Sequence, residues 1–162
     1  DALLQIEQLS STVGDRMLVG AGTVLDVGGA KDAIGAGAQF LISPTLDIDV
    51  IKTTKDHDIV SIPGAYTATE IYLAHKTGAD IIKVFPVSDP AYIKGLLGPL
   101  NNLKLMPTGG INIQNINGFS KAGAVAFGIG SSLVHAVQHI DDEYLHSLTR
   151  KAKEFVQALN LP

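Results

Sequence analysis

The sequence predicts an α/β protein whose parallel strands close into a barrel, and three observations carry that reading. Short apolar runs recur at a near-constant interval, helix-like segments fill the gaps, and most of those segments stop at glycine. The runs begin at Met17 (MLVGAGTV), Gln39 (QFLISP), Ile59 (IVSIPG), Ile81 (IIKVFP), Leu103 (LKLMPTGG) and Val125 (VAFGIGSS), a period of about 22 residues that marks one unit used repeatedly. Strand, loop, helix, glycine, next strand is the order of β/α units, whose sheets are parallel.

The first element precedes the first strand. In DALLQIEQLSSTV, Leu3, Ile6, Leu9 and Val13 recur at helical spacing. Six strands follow, separated by segments such as TATEIYLAHKTGA and NIQNINGFSKAGA, with Gly35 or Gly37, Gly78 and Gly123 as terminators. Equal units favour a (β/α)8 TIM barrel over an open doubly wound sheet. Eight strands typically need about 200–250 residues, and this chain has 162. With only about six strands present, the chain is short by an N-terminal β-α-β, because unpaired parallel edges are normally avoided. The expectation is a single (β/α) barrel domain over residues 1–162, incomplete at the N-terminus. Its opening at Asp1 rather than Met fits a piece of a larger chain.

Composition narrows the function classes. Apolar residues make up 46 % and charged residues 17 %, so a packed core is expected. A net charge of −4 argues against nucleic acid as partner. Without cysteine there are neither disulfides nor thiolate metal sites. No apolar run is long enough to span a bilayer and no signal-peptide pattern is seen, so a cytoplasmic protein without membrane association is expected.

In such barrels the working residues sit at the C-terminal ends of the strands. Those ends are Gly22-Thr23, Ser43-Pro44, Pro63-Gly64, Lys83 with Phe85-Pro86, Thr108-Gly109-Gly110 and Gly130-Ser131-Ser132. They hold one cation. Strand alternation puts Lys83 and Phe85 on one face and Ile82 and Val84 on the other, so Lys83 points into the barrel if the second pair faces the helices. A desolvated lysine is an amine nucleophile able to form a Schiff base with a carbonyl substrate. Lowering its pKa from about 10.4 to about 7–8 asks roughly 3–4 kcal/mol of the environment. A structural lysine paired to a carboxylate, or one reaching to the barrel mouth, is the plainer alternative. The lack of an acid among the other strand ends weighs against it.

PTGGIN and GIGSSLVHAV each place glycines between a strand and an expected helix, where free N–H groups attract anions. Gly109, Gly110 and Gly130 allow close backbone approach, and Ser131 and Ser132 offer hydroxyls. Thr67 and Glu70 fit a T-x-x-E capping box, which removes Glu70 from the candidate acids. His135 and His139 are four residues apart, a spacing that fits one helical face, but with no third ligand in view they read as surface histidines.

With these residues in place, the chain resembles the 2-dehydro-3-deoxy-phosphogluconate (KDPG) and 4-hydroxy-2-oxoglutarate (KHG) aldolases. The resemblance runs from Leu18 to Val134 through VGAGTVLD, GAGAQFLISP, IPGAYTATE, IIKVFP, PTGGIN and IGSSLV, in the family's order and spacing. It implies a class I aldolase with no metal or other cofactor, acting on a phosphorylated small-molecule keto acid, with Lys83 as the Schiff-base lysine. Thr23, Pro44 and Phe85 match residues around the pyruvate end. Thr108, Gly109, Gly110 and Ser132 match the phosphate end, where Gly130-Ser131-Ser132 replaces the common Gly-Gly-Ser. A homotrimer is implied as well. The family's proton-shuttling glutamate and carboxylate-binding arginine have no counterpart here. Arg16 and Arg150 stand away from the strand ends, so the missing pair is expected upstream of Asp1. A phosphate-binding barrel without covalent catalysis, and a sugar-phosphate binding module that has lost its chemistry, are the alternatives.

Overall fold

Three residues from each apolar run are enough to start the sheet. In the computed structural model, which describes residues 1–87 and 89–159, β1 (Gly20–Gly22), β2 (Phe40–Ile42) and β3 (Val60–Ile62) pair in parallel and in sequence order. Gly22 stands opposite Ile42, and Ile42 opposite Ile62. The third run is split in two. Pro63 has no N–H to give the ladder, and β4 (Gly64–Ala65) resumes beyond it as a partner of β5 (Ile82–Val84).

Contacts divide the chain into two compact units, Asp1–Phe85 and Pro86–Pro162. In the first, α1 (Ala2–Val13), α2 (Val27–Gly35), α3 (Ile48–Asp56) and α4 (Ala68–Thr77) accompany the strands. Leu3 and Ile6 of α1 pack on a core of Ala21, Ala30, Ala33, Ala38, Leu41 and Val50. The alanines let α2 approach the sheet closely. Each helix starts on a side-chain cap: Asp1, Asp26, Asp47 and Thr67 accept from the backbone N–H of the second or third residue of their helices. The capping box of Thr67 and Glu70 forms as expected. Gly37 and Gly78 take the left-handed conformation just past α2 and α4 (φ 93° and 102°), while Gly35 remains the last residue of α2.

The second unit holds α5 (Pro90–Leu97), β6 (Leu105–Pro107), α6 (Ile116–Lys121) and α7 (Asp142–Ala158). Phe119, Ile93, Leu105, Ile111 and Ile116 are fully buried there. Two expectations need correction. The run VAFGIGSS forms no strand but a single parallel bridge between Thr108 and Gly128. GIGSS does not open a helix either: residues 131–133 make a turn, and irregular chain, His135 and His139 included, continues to Asp142. Glycine at 123, 128 and 130 within eight residues weakens strand formation, and a strand so short has little pairing to hold it. Among the described residues no helix is long and apolar enough to cross a membrane.

Candidate active site

Parallel pairing puts the C-terminal strand ends of the first unit on one rim. Gly64 stands in register with Lys83, and the amides of Lys83 and Phe85 donate to the carbonyls of Pro63 and Ala65 at 2.9 and 3.2 Å. Next to them the chain after β2 comes very close: a Cβ on Gly64 would stand 2.3 Å from the Pro44 carbonyl oxygen. Only glycine fits that position. Thr23 follows β1 one residue beyond the Gly22–Ile42 pair. Its φ of 62° is a left-handed conformation that β-branched residues rarely adopt. Such strain costs of order 1–3 kcal/mol and persists only where neighbours enforce it. Here the next amide, Val24, is held by the Ile42 carbonyl at 3.1 Å.

Alternation within β5 is as expected. Ile82 and Val84 are 1 % and 0 % exposed, while Lys83 is half-buried and Phe85 stands 39 % exposed on the other face. The Lys83 Nζ lies over the Phe85 ring, 4.5 Å from its centroid. Desolvation by burial lowers the amine's pKa from its usual value. No carboxylate forms an ion pair with it among the described residues. The nearest acid in sequence, Asp80, is engaged at the other end of the strand, binding Lys55 Nζ at 2.8 and 2.9 Å and the Ser61 amide at 2.8 Å. Arg16 is exposed beside Asp15, and Arg150 lies on α7.

Sequence reasoning missed how Glu70 braces this rim. Its carboxylate accepts from the amides of Tyr66 and Thr67 and from the Thr67 hydroxyl, at 3.1, 2.8 and 2.9 Å. These bonds, the Thr67 amide first, hold its pKa below the usual carboxylate value. A capping motif three residues after Gly64 was the available signal.

In the second unit, the structure brings the two glycine loops together. Gly109 and Gly110 are both left-handed (φ 93° and 70°). The Gly110 carbonyl accepts from the side-chain amides of Asn112 and Asn115 at 3.3 and 2.9 Å, an orienting pair that the sequence signalled only as N-x-x-N. From the other loop, the Ser132 hydroxyl donates to the Ile111 carbonyl, and Gly128 packs so tightly on Thr108 that a Cβ would meet its Oγ1 at 2.2 Å. Gly110, Gly130 and Ser131 are exposed. Among the described residues the amides of Gly109 and Gly110 make no backbone hydrogen bond, so they are available to an anion.

Two cavities are not lined by Lys83. A cavity of about 530 Å³ runs along the outer edge of β1 and takes in Thr23 but not Lys83. A groove of about 580 Å³ lies between Leu133-Val134 and α7, beside the glycine loops but not lined by them.

Comparison with known proteins finds relatives along most of the chain. The family described as KDPG and KHG aldolase matches residues 2–150. The 2-dehydro-3-deoxy-6-phosphogalactonate aldolase of Escherichia coli strain K12 is 31 % identical over 156 residues, 94 % of this chain and 74 % of its own. A solved structure described as native KDPGal superposes with a TM-score of 0.87 at 30 % identity, over 96 % of this chain and 77 % of that one. The KDPG aldolase of Legionella pneumophila, solved with pyruvate captured as a covalent carbinolamine intermediate, gives 0.71 at 27 % identity, over 98 % and 75 %. The α/β fold is thus that of the barrel-like KDPG aldolase structures. The matched segment spans only about half the length of two further curated relatives, 49 % and 46 %.

Proposed function

The chain belongs to the KDPG and KHG aldolase family, and on that premise we propose that it carries the Schiff-base centre of a class I aldolase with Lys83 as nucleophile. The substrate we assign is 2-keto-3-deoxy-6-phosphogluconate, split to pyruvate and glyceraldehyde 3-phosphate, and/or 4-hydroxy-2-oxoglutarate, split to pyruvate and glyoxylate. The observation that carries the reading is the state of the amine: half-buried at a strand end, lowered in pKa by burial alone, and paired with no acid among the described residues.

The unprotonated Nζ attacks the 2-keto carbon to form a carbinolamine, which loses water to an iminium. When a base removes the 4-hydroxyl proton, the C3–C4 electrons flow into the iminium, and an aldehyde leaves. The enamine left behind takes a proton at C3, and water hydrolyses the resulting iminium to pyruvate and free Lys83. Thr23 and Pro44 would contact the pyruvate end. Thr108, Gly109, Gly110, Gly130, Ser131 and Ser132 would hold the phosphate or distal carboxylate through backbone amides and hydroxyls. The base for the 4-hydroxyl is assigned to no residue of this chain, since no acid pairs with Lys83 among the described residues. Capture of pyruvate needs only the amine, whereas cleavage needs that base too. We further propose a homotrimeric, cytoplasmic single-barrel protein.

The test is reduction with borohydride in the presence of pyruvate. A stable adduct on Lys83, found by peptide mass spectrometry and lost in Lys83→Ala, is expected. A protein that stays unlabelled, or is labelled elsewhere, refutes the assignment.

A further inference from the structure

We propose that Phe85 is more than a wall of the site: the face of its ring is the electrostatic partner of whatever cation the Lys83 nitrogen carries, first the ammonium and then the iminium. For the iminium this rests on the Schiff-base reading above; for the ammonium it does not.

The geometry is direct. Lys83 and Phe85 are two residues apart on β5, so their side chains leave the same face of the strand. Nζ stands 4.5 Å from the ring centroid, inside the roughly 6 Å over which a ring quadrupole attracts a cation. Among the described residues no carboxylate forms an ion pair with Nζ. On β5's own flank, Asp80 is held by Lys55 and the Ser61 amide. β4 contributes Gly64 and Ala65, with Tyr66 beyond them, and none of these carries an acid. On α4 the titratable groups are Glu70, Tyr72, His75 and Lys76. Glu70 is occupied in the capping box, and Lys76 lies over Tyr72. No ion pair of Lys83 forms among the described residues, and the nitrogen lies over the face of the ring.

The consequence is an unusual division of labour. Burial favours the neutral amine, which attacks; the ring favours the charged forms. When the neutral amine, the ketone and one proton from solvent give iminium and water, a cation is created where none stood, and the ring stabilises it. In carbon–carbon cleavage the iminium becomes a neutral enamine, and that stabilisation is lost. Above the midpoint of the amine's titration, Phe85 therefore raises the standing population of iminium without aiding its breakdown.

Phenylalanine at 85 replaced by its 4-fluoro, 3,5-difluoro and pentafluoro analogues drains the quadrupole stepwise at nearly constant shape. The first readout is the titration of Lys83, followed by NMR on 13C-dimethylated protein and assigned by the signal missing in Lys83→Arg. Its midpoint should fall along the series by roughly half a pKa unit in all. The second is borohydride trapping of pyruvate at a pH above that midpoint, expected to fall roughly two- to fivefold. Below the midpoint, ammonium and iminium are both cations over one ring, and trapping should stay level. A midpoint that does not move across the series overturns the proposal, whatever pyruvate does. Failure of the unmodified protein to trap pyruvate at all would instead sink the Schiff-base reading and the iminium part, with the titration still deciding the ring's role.

Discussion

Residues 1–85 and 86–159 are built from the same repeating unit, yet they use it differently. In the first unit each apolar run pairs with a neighbour, and what reaches the rim is side chains: a strained threonine, a half-buried lysine, an aromatic ring. In the second, the last run shrinks to one bridge, and what reaches the surface is backbone: two left-handed glycines and a turn tied down by Ser132. Covalent chemistry needs an atom with a tuned pKa, which asks for a rigid, desolvated strand. Anion binding needs exposed N–H groups, which regular pairing would consume. Losing strand structure would thus serve the proposed anion binding and would be ruinous for the proposed covalent chemistry.

The comparison can be broken or sharpened by mutation. The largest effect should come from the second unit's core despite its irregular surface: Phe119→Ala, at a fully buried site, should cost about 3–5 kcal/mol in chemical denaturation. A loss below about 1 kcal/mol would mean that this unit is as loose inside as outside. Next comes a matched pair of glycines. Gly64→Ala pushes a Cβ against the Pro44 backbone and should cost roughly 1–3 kcal/mol, whereas Gly130→Ala meets open space and should be near neutral. Equal costs would remove the contrast between the two rims.

Smaller effects follow from charge. Burial disfavours the Lys83 ammonium, so the folded protein binds this proton less tightly than the unfolded chain. The cost is fully present below the folded pKa and disappears above the usual lysine value of 10.5. Lys83→Met should therefore raise the melting temperature at neutral pH, by less than about 1 kcal/mol equivalent since the amine keeps part of its hydration. That gain should fade as pH approaches 10.5. Melting curves that coincide at every pH would show the amine to be fully solvated. For Glu70 the sign reverses. Its folded pKa lies below 4.5, so its stabilisation is present above 4.5 and lost as pH falls through the folded value. Glu70→Gln should lower the melting temperature slightly at pH 7 and not at all at pH 2. A loss that persists in acid would point to shape rather than charge.

How much was legible in advance differs along the chain. The positions of Lys83, Thr23, Pro44 and both glycine loops could be read from a repeat of apolar runs, because strand periodicity and turn residues are local properties. The capping box at Thr67 and Glu70 was legible for the same reason. The fate of VAFGIGSS was not. Its composition reads as a strand, but whether a strand forms depends on a partner that lies far off in sequence. The strain at Thr23 was likewise invisible, since the Ile42 carbonyl that holds the next amide belongs to another strand.

The amino-acid sequence by itself determined the β/α order, the strand ends on which reactive groups stand, and the placement of one amine among apolar neighbours. Only the tertiary structure decided that this amine meets a ring instead of an acid, and that the two glycine loops are joined through Ser132 and Ile111. The reason is physical: pattern and propensity act between neighbours along the chain. Burial, charge pairing and the choice of hydrogen-bond partner are settled by whatever the fold brings within a few ångströms.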